Sequence, residues 1–373
     1  MKKTFLYRAK LSRRTETSAL TWLETCRQLY NLALEQRISV WKNHRRSLTG
    51  YDQAVQLPAL RKAFPEFGAV GSQCLQDVVE RLNKAYRAFF RRVKAGQKPG
   101  FPRFRGKNRY DSFTLKQAGW KLEGRDLVIA RVGRFRLHLS RPIEGEIKTV
   151  TIRRTSTGKW FASFSCDSVP ERRLAPTGKE VGIDVGIKAF CVDSDGGAVE
   201  NPKFLLESEK LLRRRQRSLS RKKKGSKHRV KAKHLVAVTH EKVSNQRKDF
   251  LHKTANGYIE TYDAIFIEDL KIRNMVKNRH LARSISDASW GMFFNLLAYK
   301  AEEAGRQVVK IHPNGTSQVC SRCSEKVPKS LSVRTHRCPF CGLVMDRDYN
   351  AALNIRALGQ RVQALTRGIP CVA

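Results

Sequence analysis

Four of the nine cysteines fall within 22 residues, as Cys320-x2-Cys323 and Cys338-x2-Cys341. Each pair can close a tight turn that presents two thiolates. Two such turns, 14 residues apart, supply the four ligands of a tetrahedral Zn²⁺ site. The gap is one residue short of the usual ribbon range, a small departure for a loop. Disulfides are the competing explanation, disfavoured in a cytosolic chain, and a redox Cys-x-x-Cys would not come as a pair of pairs. Four protein ligands leave no open coordination position, so the zinc is structural, and His336 beside it reads as a bystander. Arg322, Lys326, Lys329, Arg334 and Arg337 make this knuckle basic. Cys26, Cys74, Cys166, Cys191 and Cys371 are scattered and read as reduced core or surface thiols.

The remaining chain changes its period several times. Residues 4–10 have the look of one strand. From Thr17 the apolar residues Leu20, Leu23, Cys26, Tyr30, Leu34 and Ile38 recur at helical spacing behind a Thr17 or Ser18 cap. Residues 43–71 read as loop. A second helix carries a stripe from Leu75 through Val78, Val79, Leu82, Tyr86, Phe89 and Phe90 to Val93. Residues 12–95 are thus a helical insertion after the first strand. Short alternating runs between Tyr110 and Val169 predict a small antiparallel barrel that the opening strand joins. Residues 171–179 read as a linker. From Val181 onward strands mix with helices, an α/β layer fold; Val181–Phe190 and Gly197–Glu200 suggest a hairpin.

The formal net charge of +41 calls for a polyanionic partner. No apolar run approaches the roughly 20 residues of a membrane span. Arg8, Lys10, Arg13 and Arg14 interrupt any signal-peptide core, so a cytoplasmic protein is expected. Residues 81–110 hold eleven Lys or Arg and no acid, interleaved with aromatics, a composition suited to phosphates and stacked bases. Within it, Tyr86, Phe89 and Phe90 fit helix core, whereas the aperiodic Pro99–Gly106 stretch, with Arg103, Phe104 and Arg105, fits nucleic-acid contact. Residues 210–233 carry 13 Lys or Arg and no acid. That run, including Arg221, Lys222 and Lys223, is either a solvated face or a surface that tracks phosphates.

Three acids stand at element ends. In Val181-Gly182-Ile183-Asp184-Val185-Gly186 the β-branched residues alternate, leaving Asp184 on the other face between two glycines, a bare surface open to a phosphate backbone. Glu268 ends the apolar run Ala264–Ile267, a candidate buried strand. In Asp346-Arg347-Asp348, Asp346 suits a helix N-cap and Asp348 a metal. Hard carboxylate oxygens favour Mg²⁺ or Mn²⁺, and two such ions suit phosphodiester hydrolysis.

Gly182–Gly186, then Ile267-Glu268-Asp269-Leu270, then Thr316-Ser317-Gln318 before the cysteine ribbon, then Asp346-Arg347-Asp348-Tyr349-Asn350-Ala351-Ala352-Leu353-Asn354-Ile355, resemble the TnpB family of transposon-encoded nucleases. Phe101–Arg105, Asp111–Thr114 and Asp249–Lys253 extend the match over residues 1–358. The resemblance implies a multidomain α+β protein. Its parts would be a wedge barrel strand (1–11), a helical recognition domain (12–108), a wedge β-barrel (109–178), an RNase H-like (RuvC) nuclease domain (179–317), a zinc ribbon (318–342), the final nuclease helix (343–358) and a tail (359–373). It also implies a guide RNA from the element's own end and target double-stranded DNA with a short adjacent motif. A protein monomer at the nucleoid, with catalysis by Asp184, Glu268 and Asp348, completes the expectation. For motif contacts the resemblance points to Tyr51, Gln76 and Thr114.

Rival functions are an RNA-guided repressor without nuclease activity, a zinc-ribbon nucleic-acid-binding or transposition accessory protein, and a strand-transferring transposase. A repressor would have lost one of the three acids.

Overall fold

The computed structural model describes residues 1–330 and 332–366; Cys371 and the tail beyond 366 lie outside them. Contacts divide the chain into two compact units, Met1–Pro170 and Glu171–Ala373.

In the first unit, β1 (Lys3–Leu11) buries Phe5, Tyr7 and Ala9 and turns Thr4, Leu6 and Arg8 outward, the alternation that a pleated strand imposes. Helix α1 (Arg13–His44) begins earlier than its apolar period suggests. Ser12 is the cap, its Oγ accepting from the Thr15 amide at 3.2 Å. The expected loop at 43–71 instead holds three short helices, α2 (Gly50–Val55), α3 (Leu57–Ala63) and α4 (Pro65–Gly68). Thr49 and Asp52 form a capping box for α2, and α3 and α4 each carry a proline in the first turn, where its missing N–H costs nothing. Helix α5 (Ser72–Lys94) buries Cys74, Leu75, Val78, Val79 and Leu82. The expected stripe stops there: Tyr86 and Phe89 are half-buried, and Phe90 and Val93 are exposed.

Strands β2 (Ser112–Leu115), β3 (Trp120–Glu123), β4 (Asp126–Ile129), β5 (Gly133–His138), β6 (Glu146–Arg154) and β7 (Trp160–Asp167) complete an antiparallel sheet with β1. The order is β2-β6-β7-β1-β5-β4-β3, so β1 sits at the centre. The small antiparallel barrel expected from the sequence takes the form of this seven-stranded sheet, whose end strands β2 and β3 do not pair with each other. Helices and sheet share one core, in which Trp22 of α1 meets Phe113 of β2 with ring centroids 5.4 Å apart.

In the second unit, residues 171–179 are not a free linker. The Arg172 and Leu174 amides donate to the Glu303 and Ala304 carbonyls, and Thr177 donates to Asp263. Strands β8 (Glu180–Val185), β9 (Ala189–Asp193) and β10 (Ala198–Glu200) form a meander. Helices α6 (Phe204–Ser220) and α7 (Lys227–Thr261) follow, then β11 (Ala264–Glu268), α8 (Ile272–Met275), α9 (Ala282–Ala288), α10 (Trp290–Ala304) and β12 (Gln307–Ile311). A hairpin of β13 (Thr335–Arg337) and β14 (Val344–Asp346) precedes α11 (Arg347–Thr366), which continues into the stretch read as tail. The five-stranded order is β10-β9-β8-β11-β12, with β11 parallel to both neighbours.

Alternation sorts the two faces of this sheet. Val181, Ile183, Ile265 and Ile267 pack with Leu251 and Tyr258 of α7 and Phe293 and Leu297 of α10. Phe266 and Ile311 face Ile355 of α11. The result is three layers, helices on both sides of a mixed sheet. No helix among the described residues is long and apolar enough to cross a membrane.

Candidate functional site

Residues 182 and 184 share one face of β8, with Gly186 just past its end, and α11 packs on that face at Gly182. A Cβ on Gly182 would lie 2.3 Å from the Ala352 carbonyl oxygen and 2.5 Å from the Arg356 nitrogen. The glycine therefore admits a helix, not a phosphate backbone, and the bare surface expected around Asp184 is corrected accordingly. Just past the end of the strand, a Cβ on Gly186 would lie 4.0 Å from Asp348 Oδ2. Ile183 and Ile267 are the last pair of the parallel register between β8 and β11, so Asp184 and Glu268 are the next residues along two strands whose backbones run about 4.8 Å apart where they pair.

Asp184 feels the charges of the other two carboxylates. Asp184 is pushed well above the usual carboxylate range, first by burial and then by the Glu268 and Asp348 charges, with Arg347 opposing. Burial also raises Glu268, against the Thr316 hydroxyl that donates to its Oε1 at 2.6 Å. Asp348, in the first turn of α11, accepts at Oδ1 from Arg347 at 2.8 Å and at Oδ2 from Arg334 at 3.3 Å. Asp346 takes the capping role, its Oδ1 accepting from the Asp348 and Tyr349 amides. Asp269 is half-buried and paired with Lys271. The donor chemistry fits a hard divalent cation, which would relieve the repulsion that raises Asp184.

Among the described residues the group of side chains placed closely enough to hold a metal ion is Cys320, Cys323, Cys338 and Cys341, whose sulfurs all lie within 4.8 Å of one another; the three carboxylates do not form such a group as they stand. All four thiols are free. The Cys320–Cys341 and Cys323–Cys338 sulfurs are 3.6 and 3.5 Å apart, close to the ~3.8 Å edge of a tetrahedron with zinc–sulfur bonds of about 2.3 Å. Without a metal the four thiols shift in opposite directions: Cys320 and Cys338 are lowered, Cys338 by the amides of Cys341 and Phe340 against burial, whereas Cys323 and Cys341 are raised by hydrogen bonds with the neighbouring sulfurs. His336 lies outside the four-sulfur group; it is fully buried and contacts Lys329 through Nδ1.

Two residues that received no role from the sequence tie this knuckle to α11. Asn350 donates to the Val319 carbonyl at 2.8 Å and accepts from the Ser321 amide at 3.0 Å. Asn354 donates to the Thr316 and Val319 carbonyls at 2.8 and 2.7 Å. The signal was available: two asparagines four residues apart, hence one above the other, beside the apolar stripe of Ala351, Ala352 and Ile355.

The expected nucleic-acid contacts are dispersed. In the first unit Tyr51 projects from α2 at 78% exposure, and Gln76 is exposed on α5. The Thr114 hydroxyl is engaged by Arg81 at 2.9 Å and Thr151 at 3.0 Å. Arg103 and Phe104 are exposed, whereas Arg105 is pinned to α1, its backbone bonded to Arg27 and Asn31 and its guanidinium over Tyr30. Phe101 packs edge-on against Tyr86 and Phe89, so these rings form a surface cluster. In the second unit the basic run is ordered. Lys210, Arg213, Arg214, Arg217, Arg221 and Lys222 line a concavity of about 620 Å³ along α6, with Lys223 exposed in the turn to α7.

Residues 163–279 match the family model described as "OrfB_IS605: Probable transposase", and residues 290–355 match "Cas12f1-like, TNB domain". A Streptomyces pristinaespiralis protein named "Putative RNA-guided DNA endonuclease" is 34% identical over 92% of this chain and 86% of its own. The Escherichia coli K12 protein named "Putative RNA-guided DNA endonuclease InsQ" is 34% identical over 79% and 76%. The solved structure "Cryo-EM structure of the Cas12f1-sgRNA-target DNA complex" superposes with a TM-score of 0.58 at 15% identity, covering 93% of this chain and 83% of that one; that likeness bears on fold alone. With such identity across most of two relatives, the chain belongs to the TnpB family of RNA-guided DNA endonucleases.

Proposed function

We propose that this chain is an RNA-guided endonuclease that cuts target DNA next to a short motif, with Asp184, Glu268 and Asp348 as its catalytic carboxylates. The observation that carries the reading is that the charges of Glu268 and Asp348, both distant in sequence, reach Asp184, with Asp348 lying beside Gly186 just past the end of β8. Together they would hold Mg²⁺ or Mn²⁺, which when bound would activate a water and stabilise the leaving 3′ oxygen. In this reading Asp184 and Glu268 contribute from neighbouring strands of the sheet and Asp348 from the first turn of α11. Arg334 and Arg347 supply positive charge where a scissile phosphate would lie.

In this reading the second unit is an RNase H-like (RuvC) nuclease domain with a zinc ribbon inserted before its last helix. The first unit combines a wedge sheet with a helical recognition part. Guide pairing reads the target sequence while the protein reads the adjacent motif and duplex shape. Tyr51, Gln76 and the exposed Arg103 and Phe104 are proposed contacts in the first unit. Arg221, Lys222 and Lys223 are proposed contacts in the second.

The test is the purified RNA–protein complex incubated with matched and mismatched DNA, with Mg²⁺ or EDTA, wild type beside Asp184→Ala. Guide-matched, Mg²⁺-dependent cuts lost in the variant support the reading. Equal activity of the variant removes the triad, joined products indicate strand transfer, and binding without cuts leaves a repressor.

A further inference from the structure

Glu268 ends β11 with only 9% exposure, and the group that meets it is the Thr316 hydroxyl, itself 3% exposed. Thr316 lies in the connection between β12 and the first cysteine pair. That connection has no regular ladder of its own near Thr316, and α11 supplies what holds it. Asn354 bonds the Thr316 and Val319 carbonyls, and Asn350 bonds the Val319 carbonyl and the Ser321 amide. Both asparagines are buried, Asn350 completely, so their amides satisfy backbone groups that water does not reach. Asn350 is also only two residues beyond Asp348. One helix therefore carries Asp348, fixes Thr316 and anchors the strand of chain leading into Cys320.

A glutamate at a strand end can adopt several staggered side-chain conformations. A hydroxyl-to-carboxylate bond at 2.6 Å is of the short, charge-assisted kind and selects one of them. We propose that Thr316 is the positioning residue of the carboxylate centre, its hydroxyl locking one oxygen of Glu268 while Asn350 and Asn354 hold Thr316 in register with Asp348. The proposal rests on the reading of Asp184, Glu268 and Asp348 as the nuclease centre. It makes the arrangement around Glu268 depend on the same asparagine clamp that seats the cysteine knuckle.

The experiment uses the full-length RNA-bound protein with matched target DNA and compares wild type, Thr316→Val, Thr316→Ser and Glu268→Gln. Valine keeps the β-branched shape and removes the hydroxyl; serine keeps the hydroxyl and removes the methyl. Three quantities are read: DNA affinity, cleavage rate at saturating DNA, and the Mg²⁺ concentration giving half that rate. Mn²⁺ bound at the centre, read by electron paramagnetic resonance with Glu268→Gln as background, gives a measure independent of turnover. Thr316→Val is expected to bind DNA like wild type, to cleave roughly 10- to 100-fold more slowly and to need more metal, with Thr316→Ser recovering most of both. Thr316→Ala replaces valine should the latter not fold. Wild-type cleavage by Thr316→Val beside an inactive Glu268→Gln overturns this proposal alone. Thr316→Ser as slow as Thr316→Val assigns the residue to packing and also overturns it. An active Glu268→Gln overturns the carboxylate reading and this proposal with it.

Discussion

Gly182 of β8 lies against Ala352 of α11 so closely that a Cβ on the glycine would stand 2.3 Å from the alanine carbonyl oxygen. The obstacle is backbone on the helix side, and the strand is held on its own side by hydrogen bonds between Gly182 and Ser194. Gly182→Ala must therefore push α11 off the sheet and move Asp348 away from Asp184. Overpacking of this kind costs about 1–3 kcal/mol. Gly257, inside α7 with nothing within 4 Å of its Cβ position, is the matched control, where alanine should gain up to about 1 kcal/mol. Denaturant unfolding of both variants checks the contrast, which fails if Gly182→Ala is as stable as wild type.

Asp184 should cost the protein stability for the sake of its chemistry. Its carboxyl is raised well above the ordinary value by burial and by Glu268 and Asp348. Below about pH 3.9, the ordinary value, folded and unfolded states both hold the proton and there is no penalty. As pH rises from there through the raised folded value, the folded state holds more protons than the unfolded one, and stability falls. Asp184→Asn removes that loss. In EDTA near neutral pH the variant should melt higher than wild type, while guided cleavage disappears. Each tenfold difference in proton affinity between folded and unfolded chain is worth about 1.4 kcal/mol. Mg²⁺ should stabilise wild type more than the variant. A variant that melts lower than wild type under those conditions contradicts the electrostatics.

Much of this unit was legible because strand alternation leaves a direct trace. Val181, Ile183 and Val185 on one side and Asp184 on the other indicate a two-faced strand, and Ala264–Ile267, apolar throughout, indicates a central one; β8 and β11 have those characters. Cysteine spacing likewise reports a local geometry. What escaped depends on partners distant in sequence. The glycine at 182 is equally compatible with a phosphate and with a helix, and only the position of α11 decides between them. Asn350 and Asn354 bond to backbone, which has no side-chain signature to match. The prolines of α3 and α4 read as loop because the sequence does not say that they fall in first turns. The stripe on α5 continues periodically past Leu82, but the helix outruns the sheet, so Phe90 and Val93 meet solvent.

Removing the knuckle's metal should be felt locally first. β13 and β14 are three residues each, and a two-stranded hairpin is marginal in water, so the thiolate–metal bonds supply most of the local stability. The purified protein is expected to hold one zinc per chain by mass spectrometry, and Cys338→Ser or a strong chelator should release it. Hydrogen exchange should then rise across residues 318–346 while β1 and its neighbours in the first unit keep their protection. Unchanged exchange in the metal-free protein would separate the cysteines from folding.

The cations of the α6–α7 turn divide into two kinds, and salt dependence can tell them apart. Arg229 donates to the Leu219 and Lys222 carbonyls, and Arg215 donates to the Leu235 carbonyl and the Thr239 hydroxyl. These guanidiniums hold the two helices together. Lys210, Arg214, Arg217 and Lys222 instead line the open concavity, where like charges crowd beside Arg213, which is paired with Glu209. Replacing those four by alanine should leave melting unchanged and weaken nucleic-acid binding. The slope of log affinity against log salt should become shallower by roughly 0.7–0.9 for each phosphate that is no longer neutralised. Arg229→Ala should do the reverse, lowering stability by about 1 kcal/mol for each carbonyl left without its donor and changing the salt slope little. A fourfold variant with an unaltered slope would mean that the concavity faces solvent and that the phosphates are held elsewhere.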